Sequence, residues 1–94
     1  MKIKWLRVAL QNLEDEATYI ALDSYPDAQT AVQRVLAAVA QLAEQPGLGR
    51  PGRVPNTREL VVLKTRYLVP YRVRGDTVTI LRVFHTSRRL PKRW

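Results

Sequence analysis

The sequence predicts an α+β domain in two layers: an N-terminal strand, an antiparallel helix hairpin and a three-stranded antiparallel meander (β-α-α-β-β-β), with the helices packed on one sheet face. Three observations predict it. Apolar residues alternate with polar ones over residues 2–7, recur at three- and four-residue steps over 9–42, and alternate again from 58 onward; this is the change from strand period to helix period and back. A segment rich in Gly and Pro, residues 46–57, divides the helical part from the later strands, because such a composition breaks both regular elements. The chain has 94 residues, enough for one core and not two, so residues 1–94 read as a single domain.

Lys2 and Lys4 alternate with Ile3 and Trp5, as in a short first strand. Leu10, Leu13, Ala17, Ile20 and Ala21 then line one side of a helix over roughly residues 9–23, with Glu14, Asp15, Glu16 and Thr18 on the other. Ser24 and Asp27 have capping-box spacing, and Pro26 fits only a first helical turn, so a second helix starts here. Its stripe is Ala28, Val32, Val35, Leu36, Val39 and Leu42, and Pro46-Gly47 stops it. A connection this short makes the two helices an antiparallel hairpin.

Three strands are expected at about 58–64, 67–74 and 77–84. Gly75-Asp76 suits a two-residue hairpin turn, since Gly accepts positive φ at the first central position. That turn sets Val73 against Val78, Tyr71 against Ile80, Val69 against Arg82 and Tyr67 against Phe84. One face then carries Tyr67, Val69, Tyr71, Val73, Val78 and Ile80, assigned to the helices. The other carries Leu68, Pro70, Arg72, Arg74, Thr77 and Thr79, assigned to an open side. Pro70 conflicts with a central strand, which cannot spare the N–H that proline lacks; a bulge or an unpaired carbonyl opposite is expected.

The charge is divided along the chain. Residues 1–46 hold four Lys/Arg against six carboxylates, whereas residues 47–94 hold twelve against two, within a formal net charge of +8. A compact protein so polarised presents one electropositive side, which attracts phosphates or an acidic protein segment. Cys is absent and there is one His, so neither a disulfide framework nor a metal site is expected, and no cofactor is implied. The N-terminal residues lack the apolar run of a signal peptide, and no stretch approaches membrane-spanning length, so a cytoplasmic location without membrane attachment is the default.

Four stretches together resemble the RelE/ParE superfamily of bacterial toxins from type II toxin–antitoxin modules. They are Tyr19-Ile20-Ala21, Val54-Pro55-Asn56-Thr57-Arg58-Glu59-Leu60, Tyr67-Leu68-Val69-Pro70-Tyr71-Arg72-Val73 and the closing Ile80-Leu81-Arg82-Val83-Phe84-His85-Thr86-Ser87-Arg88-Arg89. The resemblance covers essentially the whole chain. It implies a small toxin, of the kind used in plasmid stabilization, that a cognate acidic antitoxin holds inactive in a higher-order complex. Folding of an antitoxin segment on the toxin costs ordering entropy, so apolar burial must accompany the charge attraction.

The superfamily divides by target, and the resemblance is closer to the ParE-like branch, which implies binding to DNA gyrase without ribonuclease chemistry. RelE-like nucleases cut mRNA on the ribosome and commonly carry an Arg directly after the tyrosine that opens the middle hairpin strand; here that residue is Leu68. Lysines of the preceding strand align with Glu59 and Val61. A leucine cannot stabilise a phosphorane. No catalytic residue is therefore assigned; under the alternative, a ribosome-dependent mRNA endonuclease, the set would be Arg72, His85, Arg88 and Trp94. A third reading is a basic nucleic-acid-binding domain without toxicity. The expected antitoxin- or target-binding residues are Leu68, Arg72, Arg74, Arg88, Arg89, Lys92, Arg93 and Trp94. Glu59 is expected either to pair with Arg72 across the open face or to be an ordinary exposed carboxylate.

Overall fold

The computed structural model describes residues 1–87 and 90–94. The elements follow in the order β1 (Lys2–Trp5), α1 (Arg7–Ala21), α2 (Tyr25–Ala40), a 3₁₀ turn (Gln41–Ala43), β2 (Arg50–Pro51), β3 (Arg58–Val61), β4 (Tyr67–Arg74), β5 (Thr77–Ile80) and β6 (Phe84–His85). The sheet runs β1-β5-β4-β3-β2, with β6 also beside β4. It is mixed: β1 lies parallel to β5, and the other pairs are antiparallel.

Local chemistry explains the helix boundaries. Ser24 Oγ accepts the Asp27 N–H at 3.3 Å, and Pro26 occupies the first turn of α2, where a missing N–H costs nothing. α1 has no side-chain cap; its start is fixed by the sheet, because the Leu6 N–H donates to the Ile80 carbonyl at 3.1 Å. The buried side of α1 is Ala9, Leu13 and Glu16, rotated from the expected stripe, and Leu10 is 48 % exposed. Leu36 of α2 also faces outward, whereas Ala28, Val35, Val39 and Leu42 are buried as expected. Glu16 is not on the solvent side because the Tyr67 hydroxyl donates to its Oε1 at 3.3 Å, so its burial is hydrogen-bonded.

The sheet keeps the expected register at Tyr71–Ile80 and Val73–Val78, and Gly75 in the turn has φ +55°. Beyond that point it departs. Tyr67 stands opposite His85 and Leu68 opposite Phe84, so the expected strand 77–84 is broken by one extra residue within 81–83. The break lies opposite Pro70. The Leu81 N–H donates to the Pro70 carbonyl at 2.9 Å, and in extended backbone the N and C=O of one residue point the same way. The missing proline N–H therefore faces the bulge, where the ladder is already interrupted.

Tyr67, Val69, Tyr71, Val78 and Ile80 join Leu13, Val35, Val39 and Leu42 in the core, with Ile3 and Trp5 packed against it. Val73, expected in the core, is exposed. The Gly/Pro segment is not wholly irregular, since Arg50–Pro51 forms a short strand against Arg58 and Glu59. Tyr71 anchors it: its hydroxyl donates to the Pro46 carbonyl at 2.7 Å and accepts the Gly49 N–H at 2.8 Å. A Cβ on Gly49 would sit 2.6 Å from the Tyr71 ring, so this close approach requires glycine.

Candidate functional site

The sheet face away from the helices is open at one end and sealed at the other. Leu68 and Pro70 point to this side but are fully buried. Phe84, directly opposite Leu68, covers that end, and the Trp94 ring packs on Phe84 with centroids 5.4 Å apart. Trp94 is tied down three further ways. Its Nε1–H donates to Thr57 Oγ1 at 3.2 Å, its carbonyl accepts from Arg82 Nε at 2.9 Å, and the Arg53 guanidinium lies 5.7 Å from its ring centroid. Leu68 is thus core to a small second cluster, and the expectation of an accessible apolar contact there is corrected.

The other expected residues divide between surfaces. Arg72 and Arg74 lie on the unsealed part of this face, the first half-buried and the second exposed, and Lys92 and Arg93 are exposed in the chain's last residues. Arg88 and Arg89 lie outside the described residues. His85 belongs to the other face. It stands opposite Tyr67, with the two rings edge-on at 5.5 Å, and its Nδ1 is 2.6 Å from Ser87 Oγ. Alternation along a strand pair sends Arg72 and His85 to opposite sides of the sheet, so these two members of the conditional nuclease set do not converge.

Glu59 organises the sealed end. It is 2 % exposed, opposite Pro70, and neither an exposed carboxylate nor a partner of Arg72. Its Oε2 accepts the Arg53 backbone N–H at 2.8 Å and Arg53 Nε at 3.0 Å, and its Oε1 accepts from Arg50 Nη2 at 3.2 Å. Burial pushes the carboxyl pKa up, but the Arg53 side-chain and backbone hydrogen bonds and the Arg50 hydrogen bond outweigh it, leaving the group below its ordinary value. Sequence spacing gave no hint of Arg50, because only the strand pairing of the Gly/Pro segment brings it alongside.

A groove of about 510 Å³ lies between α2 and β3. Ala37, Ala38, Leu48, Leu60 and Val62 line it, and Arg34, Arg50 and Lys64 stand among its polar residues. β2 covers β3 only at Arg58 and Glu59, so the edge from Leu60 onward has no neighbouring strand among the described residues. Leu48, Val61 and Leu63 are exposed here, Leu63 by 81 %. The signal that could have found this groove is the unbroken run Leu60-Val61-Val62-Leu63, apolar on both faces of a strand too short to be central. The groove can take an extended or helical chain with apolar and acidic residues; among the described residues the two sheet faces assemble no nucleophile–base pair with Arg72.

Comparison with known proteins adds relatives. A family described as "ParE toxin of type II toxin-antitoxin system, parDE" matches residues 3–90. The chain is 42 % identical over 91 residues to "Putative toxin Y4kP" of Sinorhizobium fredii, covering 97 % of this chain and 94 % of that protein. A solved structure titled "Chromosomal ParDE TA system from P. aeruginosa" superposes with a TM-score of 0.80 at 33 % identity, over 90 % of this chain and 95 % of that one.

Proposed function

The chain belongs to the ParE toxin family of type II toxin–antitoxin systems, and we propose that it arrests growth by binding DNA gyrase and that a cognate acidic antitoxin neutralises it. The observation that carries a binder over a ribonuclease is the separation of Arg72 and His85 onto opposite sheet faces. Cutting RNA by 2′-OH attack requires a base and a phosphorane stabiliser converging on one phosphate. Leu68, where a nuclease of the superfamily would carry Arg, is buried and chemically inert.

The α2–β3 groove supports the antitoxin half of the reading. Its apolar floor supplies the burial that offsets the ordering of a disordered segment, and Arg34 and Lys64 favour acidic residues along it. The free β3 edge accepts backbone hydrogen bonds from an added strand. On this reading the inhibitor lies in the groove in preference to the Leu68 surface, and the C-terminal cations contribute field and not contact.

The test uses purified components. Addition of the toxin is expected to inhibit supercoiling by gyrase, to leave ribosome-bound mRNA intact, and to lose its effect when antitoxin is added. Cleavage of ribosome-bound mRNA that disappears on Arg72→Ala or Arg88→Ala would establish the endonuclease reading instead. Harmless expression without antitoxin, together with unimpaired supercoiling, would establish the basic nucleic-acid-binding domain.

A further inference from the structure

The N-terminal strand brings two lysines to the basic side of the molecule from the half of the chain that is net acidic. β1 pairs with β5 so that Lys2 stands beside Thr77 and Lys4 beside Thr79. β5 in turn sets Thr79 against Arg72 and Thr77 against Arg74. Residues in register on neighbouring strands share a face. The unsealed part of the outer face is therefore a grid of two rows, Arg72–Thr79–Lys4 and Arg74–Thr77–Lys2. Strand geometry spreads its four cations over about 10 Å across the strands and about 7 Å along them.

These charges are largely uncompensated. Among the described residues the one ion pair in the grid is Lys2–Asp76 at 3.9 Å, between side chains 80 % and 74 % exposed. Arg72 Nε is buried without a hydrogen-bond partner among the described residues, so packing and not a carboxylate holds this guanidinium in place. The contrast with Arg50 and Arg53, which share the buried Glu59, is direct.

We propose that this grid is a binding surface for the phosphate backbone of duplex DNA, read without regard to sequence and separate from the α2–β3 groove. Lys and Arg would pair with phosphates, and the Thr79 hydroxyl between them would donate to a phosphate oxygen, whereas the Thr77 hydroxyl already donates to Asp76 Oδ1 at 3.0 Å. The grid's own chemistry excludes the competing occupants. It has no apolar side chain, so an acidic segment that must fold on binding finds nothing to offset its ordering, whereas a duplex arrives ordered. It has no free aromatic ring for base stacking, because Trp94 is already packed against Phe84 and Arg53, and stacking is what single-strand binders use. The inference does not depend on gyrase being the target.

Fluorescence anisotropy of the full chain with a labelled mixed-sequence duplex of about 20 base pairs tests it. With three to four phosphates contacted, affinity is expected to fall about a hundredfold between about 50 and about 200 mM salt. The exposed double variant Lys2→Gln with Lys4→Gln is expected to reduce the log–log salt slope by about 2, and adding Arg74→Gln by about 1 more. The same variants are expected to keep their far-ultraviolet circular dichroism and their affinity for an antitoxin-derived peptide. No duplex binding at the lower salt overturns the proposal, as does an unchanged slope in the triple variant. Tighter binding of a single-stranded oligonucleotide of equal charge, or equal competition by a poly-glutamate peptide, also overturns it.

Discussion

Glu59 is the residue on which the sealed end of the outer face depends. Its carboxylate is out of solvent while both arginine partners reach it, with side chains 57 % and 39 % exposed. Solvent screening of the partners moderates what the pairs contribute; loss of the charge nevertheless leaves five Arg50 and Arg53 donors facing a neutral amide. Glu59→Gln is expected to cost about 1.5–3 kcal/mol, the range for hydrogen bonds to a charged group, and toward its lower end. The sign with pH follows from the direction of the shift. The folded protein holds Glu59 below its ordinary value of 4.5, so the stabilisation is complete above about that pH and is lost as pH falls through the lower folded value. Urea denaturation of both proteins from neutral to acid pH checks it: the difference between them should shrink below about pH 4.5. Sequence spacing put Glu59 near Arg72, since both point to one face; it could not reveal that Arg53 and Arg50 would arrive first.

Among the elements, the terminal segment around Trp94 acts as a strap across β4. It covers Leu68 through Phe84, and it ties to the 46–57 segment through Thr57. A half-buried aromatic pair with one hydrogen bond is worth about 1–2 kcal/mol. Trp94→Ala is expected to lower stability by roughly that amount, to raise binding of an apolar dye as Phe84 and Leu68 become wettable, and to leave the core intact. Thermal melts and dye titration would measure it, and an unchanged dye signal would mean that Phe84 seals the face alone. The strap explains why an HPHP pattern misjudged this side of the sheet. Alternation assigns Leu68 to a face, but only contact with residues 16 and more positions away decides whether that face is wet. Pro70 was more legible, because a missing N–H in a central strand demands a break in the ladder, and the break is where the register slips by one.

For the molecule as a whole, the proposed binding divides the work of association between the polarised charge and the apolar groove. Charge accelerates encounter and weakens with salt, whereas apolar burial sets residence. Leu63→Glu, at an 81 % exposed position in the turn after β3 that lines the groove, is expected to weaken an antitoxin-derived acidic peptide at least tenfold with the fold unchanged, whereas raised salt should mainly slow its association. Surface plasmon resonance separates the two effects; an unaffected dissociation rate in Leu63→Glu would move the inhibitor away from the groove. The chain by itself determined the order of elements, the helix hairpin with its Ser24 cap, the Gly75 turn and the positive second half, because each of these rests on neighbours in sequence. The tertiary structure alone decided that Lys2 and Lys4 join Arg72 and Arg74, that Arg50 and Arg53 close on Glu59, that His85 turns away from Arg72, and that β1 runs parallel to β5. The physical reason is that strand pairing joins residues tens of positions apart, and no local periodicity records which edge a strand will take.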